Sequence, residues 1–94
     1  MNNYVIFRRN AWLDGADLER GASRAIRAAN EDMAGRVRWI RSYVCQEDDG
    51  TLGSVCIYQA HDRDALFTHA RCANLVCNAV LPLARSIVLD ELSP

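Results

Sequence analysis

Residues 37–60, VRWIRSYVCQEDDGTLGSVCIYQA, decide the fold. Two runs rich in β-branched and aromatic residues flank EDDGT, and such runs around a turn signal make a β-hairpin. Its strands are expected over about Val37–Gln46 and Gly53–Ala60. Asp49-Gly50 suits a tight two-residue turn, whose central positions both take positive φ. Counting outward from that turn sets Asp48 opposite Thr51, Cys45 opposite Ser54, Tyr43 opposite Cys56 and Arg41 opposite Tyr58. Opposite residues share a face. One face then holds Trp39, Arg41, Tyr43, Cys45, Cys56 and Tyr58. The other holds Ile40, Val44, Val55 and Ile57 with Ser42 and Gln59. The aliphatic face is the expected seat of covering helices, and the mixed face is left for a partner or ligand. A slip of one residue would exchange these roles.

Upstream, YVIFRR (Tyr4 to Arg9) reads as a first strand. DGADLERGASRAIRAANEDMAG reads as a helix, capped by Asp14 or Asp17 and ended by Gly35. Leu18, Ala22, Ile26, Ala29 and Met33 form its apolar stripe. Gly21 within it costs about 1 kcal/mol relative to alanine. Downstream, HDRDALFTHARCANLVCNA reads as a second helix with Asp62 as N-cap. Its inner stripe runs through Leu66, His69 or Ala70, Ala73, and Val76 or Cys77, and Pro82 stops it. RSIVLDEL (Arg85 to Leu92) reads as the last strand.

The order strand, helix, strand, strand, helix, strand over residues 1–94 gives one domain. The expected fold is α+β, a ferredoxin-like βαββαβ sandwich with two helices on one face of an antiparallel four-stranded sheet. Right-handed crossovers bring strands one and three together, expected here as parallel neighbours. The other sheet face is bare, and a chain this small is expected to cover it by pairing with a second copy, as a dimeric α/β-barrel.

Ninety-four residues with a net charge of −1 give no electrostatic footprint for nucleic acid. All the basic residues are arginine, in keeping with GC-rich coding. The amino terminus lacks a signal-peptide pattern and no run is long enough to cross a bilayer, so a cytoplasmic setting without membrane partners is expected. Cys45, Cys56, Cys72 and Cys77 show no C-x-x-C spacing of a structural zinc site, and reduced thiols are expected in that compartment. Phosphate-cradling glycine loops and serine-nucleophile elbows are absent.

The segments W-x-x-S-Y-V, C-I-Y-Q-A and H-A, in order within the stretch Trp39 to Ala73, resemble the small DUF4242 proteins, a family that includes nickel-binding actinobacterial proteins built as ferredoxin-like homodimers. The resemblance points at Tyr43, Cys56, Tyr58 and His69. It implies a metal site with His69 and Cys56 as donors for Ni²⁺ or another divalent transition metal, and no organic cofactor. The segment after His69 departs from the family's short glycine-proline turn, with Asn74 where glycine is expected and the proline delayed to Pro82. A second possibility, by fold analogy, is a cofactor-free enzyme (cyclase, isomerase or oxygenase) or ligand binder using the space between sheet and helices. His69 would then be an acid or base, Tyr43 or Tyr58 a hydrogen-bond donor, and Cys56 a nucleophile. Trp39, Phe7 and Phe67 would supply stacking surface, and Arg41 would neutralise an acidic ligand. A third possibility is a dimerisation module with no chemistry.

Overall fold

The computed structural model describes residues 1–85 and 87. Their elements are β1 (Asn2–Trp12), α1 (Gly15–Arg27), a single π-helical turn (Ala28–Asp32), β2 (Val37–Gln46), β3 (Leu52–Ala60), α2 (Arg63–Ala73) and β4 (Ala79–Pro82). The sheet order is β2-β3-β1-β4 and every neighbouring pair is antiparallel. That is the ferredoxin-like α+β sandwich. Strands β1 and β3 are neighbours but antiparallel, against the expectation of parallel pairing. The helical crossover returns β2 in the direction of β1, and the hairpin then reverses β3 against both.

The hairpin register differs by one residue from the count above. Tyr43 pairs with Val55, Ser42 with Cys56 and Cys45 with Gly53. The cause lies in the loop. Glu47 and Thr51 are joined by the Glu47 N–H to Thr51 carbonyl bond, and the Gly50 N–H donates back to the Glu47 carbonyl at 3.1 Å. Asp48-Asp49-Gly50 is therefore a three-residue loop in which only Gly50 has positive φ, at 88°. Such loops add one residue to the count that a two-residue turn would give. A second irregularity lies between Trp39, which pairs with Tyr58, and Arg41, which pairs with Ile57. Ile40 is the extra residue, so Trp39 returns to the face of Tyr58.

The faces are consequently redistributed. The helices cover Val37, Trp39, Ser42, Cys56, Tyr58 and Ala60 together with Tyr4, Ile6 and Arg8 of β1, because paired residues share a face. Val55 and Ile57, expected beneath the helices, lie on the open face with Arg41, Tyr43 and Cys45. The core is built from Tyr4, Ile6, Met33, Val37, Cys56, Tyr58, Ala65, Leu66 and Val80.

Both helices begin as the sequence indicates. Asp14 accepts from the Asp17 N–H and Asp62 from the Ala65 N–H, each satisfying an orphan donor of the first turn. The α1 stripe is shifted: Gly21, Ala25 and Ala28 are buried, and Ile26 is 52% exposed. Gly21 has a packing reason, since a Cβ there would run into the Trp12 indole. Helix α2 stops at Ala73, well before Pro82. Asn74 takes the left-handed conformation (φ 54°), and the Leu75 N–H reaches back to the Ala70 carbonyl at 2.9 Å. Asparagine thus fills the helix-ending role that glycine usually takes. The early stop releases Ala79–Pro82 to pair with β1, Val80 opposite Ile6. Proline is tolerated there because β4 is an edge strand. The last strand therefore lies at 79–82. Of the segment expected to form it, Arg85 and Ile87 are not strand, and Ser86 and Val88 to Leu92 lie outside the described residues.

The hairpin turn is tied to β1 chiefly by the Glu47 carboxylate, with Asn10 Nδ2 also donating to Asp49 and Thr51. Glu47 accepts from the Arg9 Nε and Nη2 at 2.9 and 2.8 Å and from the Asn10 N–H at 2.9 Å. These bonds, led by the one from Arg9, hold its pKa down at about 2 against an ordinary 4.5. A lowered carboxylate pKa stabilises the fold above the unfolded value and loses that contribution as pH falls through the folded value. Urea midpoints are therefore expected to fall from pH 4.5 toward 2, and Glu47→Gln is expected to flatten that limb. An unchanged acid limb in Glu47→Gln would show that this carboxylate does not anchor the turn.

Candidate functional site

Between α1 and the covered sheet face lies a cavity of about 240 Å³. Trp12, Leu18, Trp39, Cys56, Tyr58 and Arg8 are among the residues that line it. It exists because α1 presents small residues here, with Gly21, Ala22 and Ala25 all bordering the space.

Tyr58, 1% exposed, organises the interior. Its ring is stacked on Trp39, with centroids 6.0 Å apart and planes 2° from parallel. On another side it meets the His69 ring at 5.4 Å and 56°. The offset and tilted geometries are the ones aromatic quadrupoles favour. Trp39 is fixed in turn by its Nε1–H, which donates to the Ser42 Oγ at 2.7 Å. Burial pushes the Tyr58 phenol up to about 12, with Arg8 opposing.

Arg8 is 1% exposed. Its Nη1 donates to the Val76 carbonyl at 2.7 Å, whereas the buried Nη2 has no partner. Its guanidinium carbon lies 5.9 Å from the Tyr58 ring centroid. Among the described residues no carboxylate is within ion-pairing distance of it; the salt bridges there join Arg9 to Glu47 and Arg20 to Asp17. A cation–π contact contributes about 0.5–2 kcal/mol, against several kcal/mol for taking an ion out of water. The charge of Arg8 is incompletely compensated.

His69 is fully buried. One ring nitrogen, Nε2, lies 2.9 Å from the Ala25 carbonyl, and Nδ1 has no partner. Since the carbonyl only accepts, Nε2 carries the proton and Nδ1 the lone pair. Burial lowers the pKa, the Ala25 bond opposes this and Arg8 adds to it. The neutral imidazole is the form present at neutral pH.

Of the residues singled out in the sequence, Trp39, Cys56, Tyr58 and His69 come together in the covered layer. Trp39, Cys56 and Tyr58 line the cavity, while His69 packs against Tyr58. Arg41 and Tyr43 lie on the open face, where Arg41 Nη1 donates to the Tyr43 Oη at 3.3 Å and Tyr43 is 56% exposed. Cys56 contacts the Ser54 Oγ at 3.1 Å. All four cysteines are free, with Cys45 exposed. Sequence reasoning missed Arg8. The signal was present: Tyr4, Ile6 and Arg8 alternate on β1, which places an arginine in line with two core residues.

A divalent ion can be tested against this geometry. The lone pair of His69 Nδ1, with the opposite nitrogen bonded to a backbone carbonyl, is the arrangement of a metal-binding histidine. Nevertheless, among the described residues no three His, Cys, Asp or Glu side chains gather into a metal-holding group. The charged group acting on His69 is Arg8, which repels cations. The covered layer, as far as the described residues form it, does not fit a divalent ion.

These features define a small ferredoxin-like protein with a pocket under its first helix. The family model described as nickel responsive protein SCO4226-like matches residues 4–83, and the chain belongs to that family. The crystal structure of SCO4226 from Streptomyces coelicolor A3(2) is similar with a TM-score of 0.69 and 12% identity, over 90% of this chain and 99% of that one. At that identity the likeness is one of fold. No curated protein matches the chain.

Proposed function

We propose that the protein is a cytoplasmic homodimer of the DUF4242 kind that binds a divalent transition metal such as nickel, with the ligand set completed by the second subunit. The observation that carries this is the family match over residues 4–83, with its nickel-responsive description. Pairing is supported by the open sheet face, where Val5, Phe7, Val55 and Ile57 are only half-buried and Tyr43 and Leu81 are 56% and 50% exposed. An apolar face of this kind is what a second copy covers. Among the described residues, a donor reachable across that face is the exposed thiol of Cys45; His69 and Cys56 lie on the other side of the sheet. Thiolate donors suit borderline and soft divalent ions. In support of a cytoplasmic setting, no helix of the described residues is long and apolar enough to cross a membrane.

Untagged protein stripped with chelator and titrated with nickel is expected to take up metal at sub-millimolar concentration. Cys45→Ser is expected to weaken uptake more than His69→Ala, and Ile57→Arg to yield a folded monomer that loses it. A wild-type dimer that takes up no nickel below a millimolar would end the metal proposal. A wild-type chain that sediments as a monomer would end the dimer.

A further inference from the structure

We propose that the cavity under α1 binds an organic monocarboxylate with a flat apolar body, the carboxylate held by Arg8. The inference goes beyond the metal reading and does not depend on it. Two independent observations meet here: a ready-made space, and Arg8 among the residues that line it, 1% exposed and with a buried Nη2 lacking any partner. Guanidinium presents five donors in a fork matched to carboxylate. The Val76 carbonyl and the face of Tyr58 occupy only part of that capacity.

The rest of the lining selects the ligand. Trp12, Leu18 and Trp39 offer apolar and aromatic walls, and the Ser42 and Ser54 hydroxyls are the small polar groups beside them. The Trp39 indole and Cys56 thiol already engage those hydroxyls. An inorganic phosphate dianion would need several more donors than this wall supplies, and a cation would face the charge of Arg8. Glu19 also borders the cavity and is exposed. Its negative charge sets the orientation, with the ligand's carboxylate inward at Arg8 and the apolar body toward Glu19.

Calorimetric titration of the metal-stripped full chain with 2-naphthoate and with its neutral isostere 2-naphthamide tests this. Naphthoate is expected to bind at least about ten-fold more tightly, the scale of a charge-assisted hydrogen bond. Arg8→Met is expected to abolish that preference. Because Arg8→Met also alters the core, Ala22→Phe supplies a second arm: it fills the space, leaves Arg8 intact and is expected to abolish naphthoate binding. Equal affinity for acid and amide, no binding of naphthoate by folded wild type, or full binding by folded Ala22→Phe would each overturn the proposal. Because no metal is present, the outcome stands apart from that of the nickel titration.

Discussion

Tyr58→Ala is expected to lower folding stability by about 3–5 kcal/mol, the range for deleting a large buried aromatic side chain. Against a total of about 5–15 kcal/mol for a domain, that is a large fraction. Three contacts disappear together: the Trp39 stack, the His69 edge and the ring facing the Arg8 guanidinium. The last makes the loss more than a cavity term, because an already under-compensated charge loses a compensating group. Tyr58→Phe keeps the ring and all three of these contacts and is expected to stay within about 1 kcal/mol of wild type. Urea denaturation of both variants checks this, and a Tyr58→Ala variant within 1 kcal/mol of wild type would remove Tyr58 from the centre of the core. The phenol gives a second readout. Its pKa is raised from 10 to about 12, so its contribution is complete below pH 10 and is lost as pH rises toward 12. Tyr58→Phe is expected to lack that alkaline limb.

The fold was legible because its signals were local and redundant. Asp14 and Asp62 each cap a helix as their side chains dictate, and β2 and β3 are rich in β-branched and aromatic residues. The site was less legible because it depends on parity. Choosing a two-residue turn at Asp49-Gly50 displaced β2 by one residue and put Cys56 and Tyr58 on the wrong face. Only the hydrogen bonds of Glu47, Gly50 and Thr51 distinguish the three-residue loop. The extra residue at Ile40 then rejoined Trp39 to Tyr58, so two irregularities assemble the aromatic stack. The end of α2 was misplaced for a similar reason. Asn74 stops the helix through a backbone conformation that its composition permits but does not announce.

Arg8 changes how the family description bears on this chain. A nickel-binding interior would gather carboxylates, thiolates or imidazoles around one point and keep cations away. Here, among the described residues, the covered layer holds one imidazole, the thiol of Cys56 with Cys77 packed against the core, and one incompletely compensated guanidinium. The interior is suited to an anion and the open face to a second copy. The two proposals accordingly occupy opposite sides of the sheet and can succeed or fail separately.

His69→Ala is expected to cost about 2–4 kcal/mol, combining lost packing with the lost bond to the Ala25 carbonyl. That carbonyl belongs to the last α-helical turn before the π-helical one, where it also accepts from the Ala28 N–H. The variant also carries a pH signature that a purely steric loss would not. In the folded chain the imidazole is held below its ordinary 6.5, chiefly by burial, so below pH 6.5 the unfolded chain binds a proton that the native one refuses. Stability is therefore complete above that value and falls with acidification through it. Urea midpoints of the wild type are expected to drop between pH 7.5 and 5.5, and His69→Ala, less stable throughout, is expected to be flat across that interval. A slope retained in His69→Ala would assign the acid sensitivity elsewhere and deprive the neutral-imidazole picture of its support.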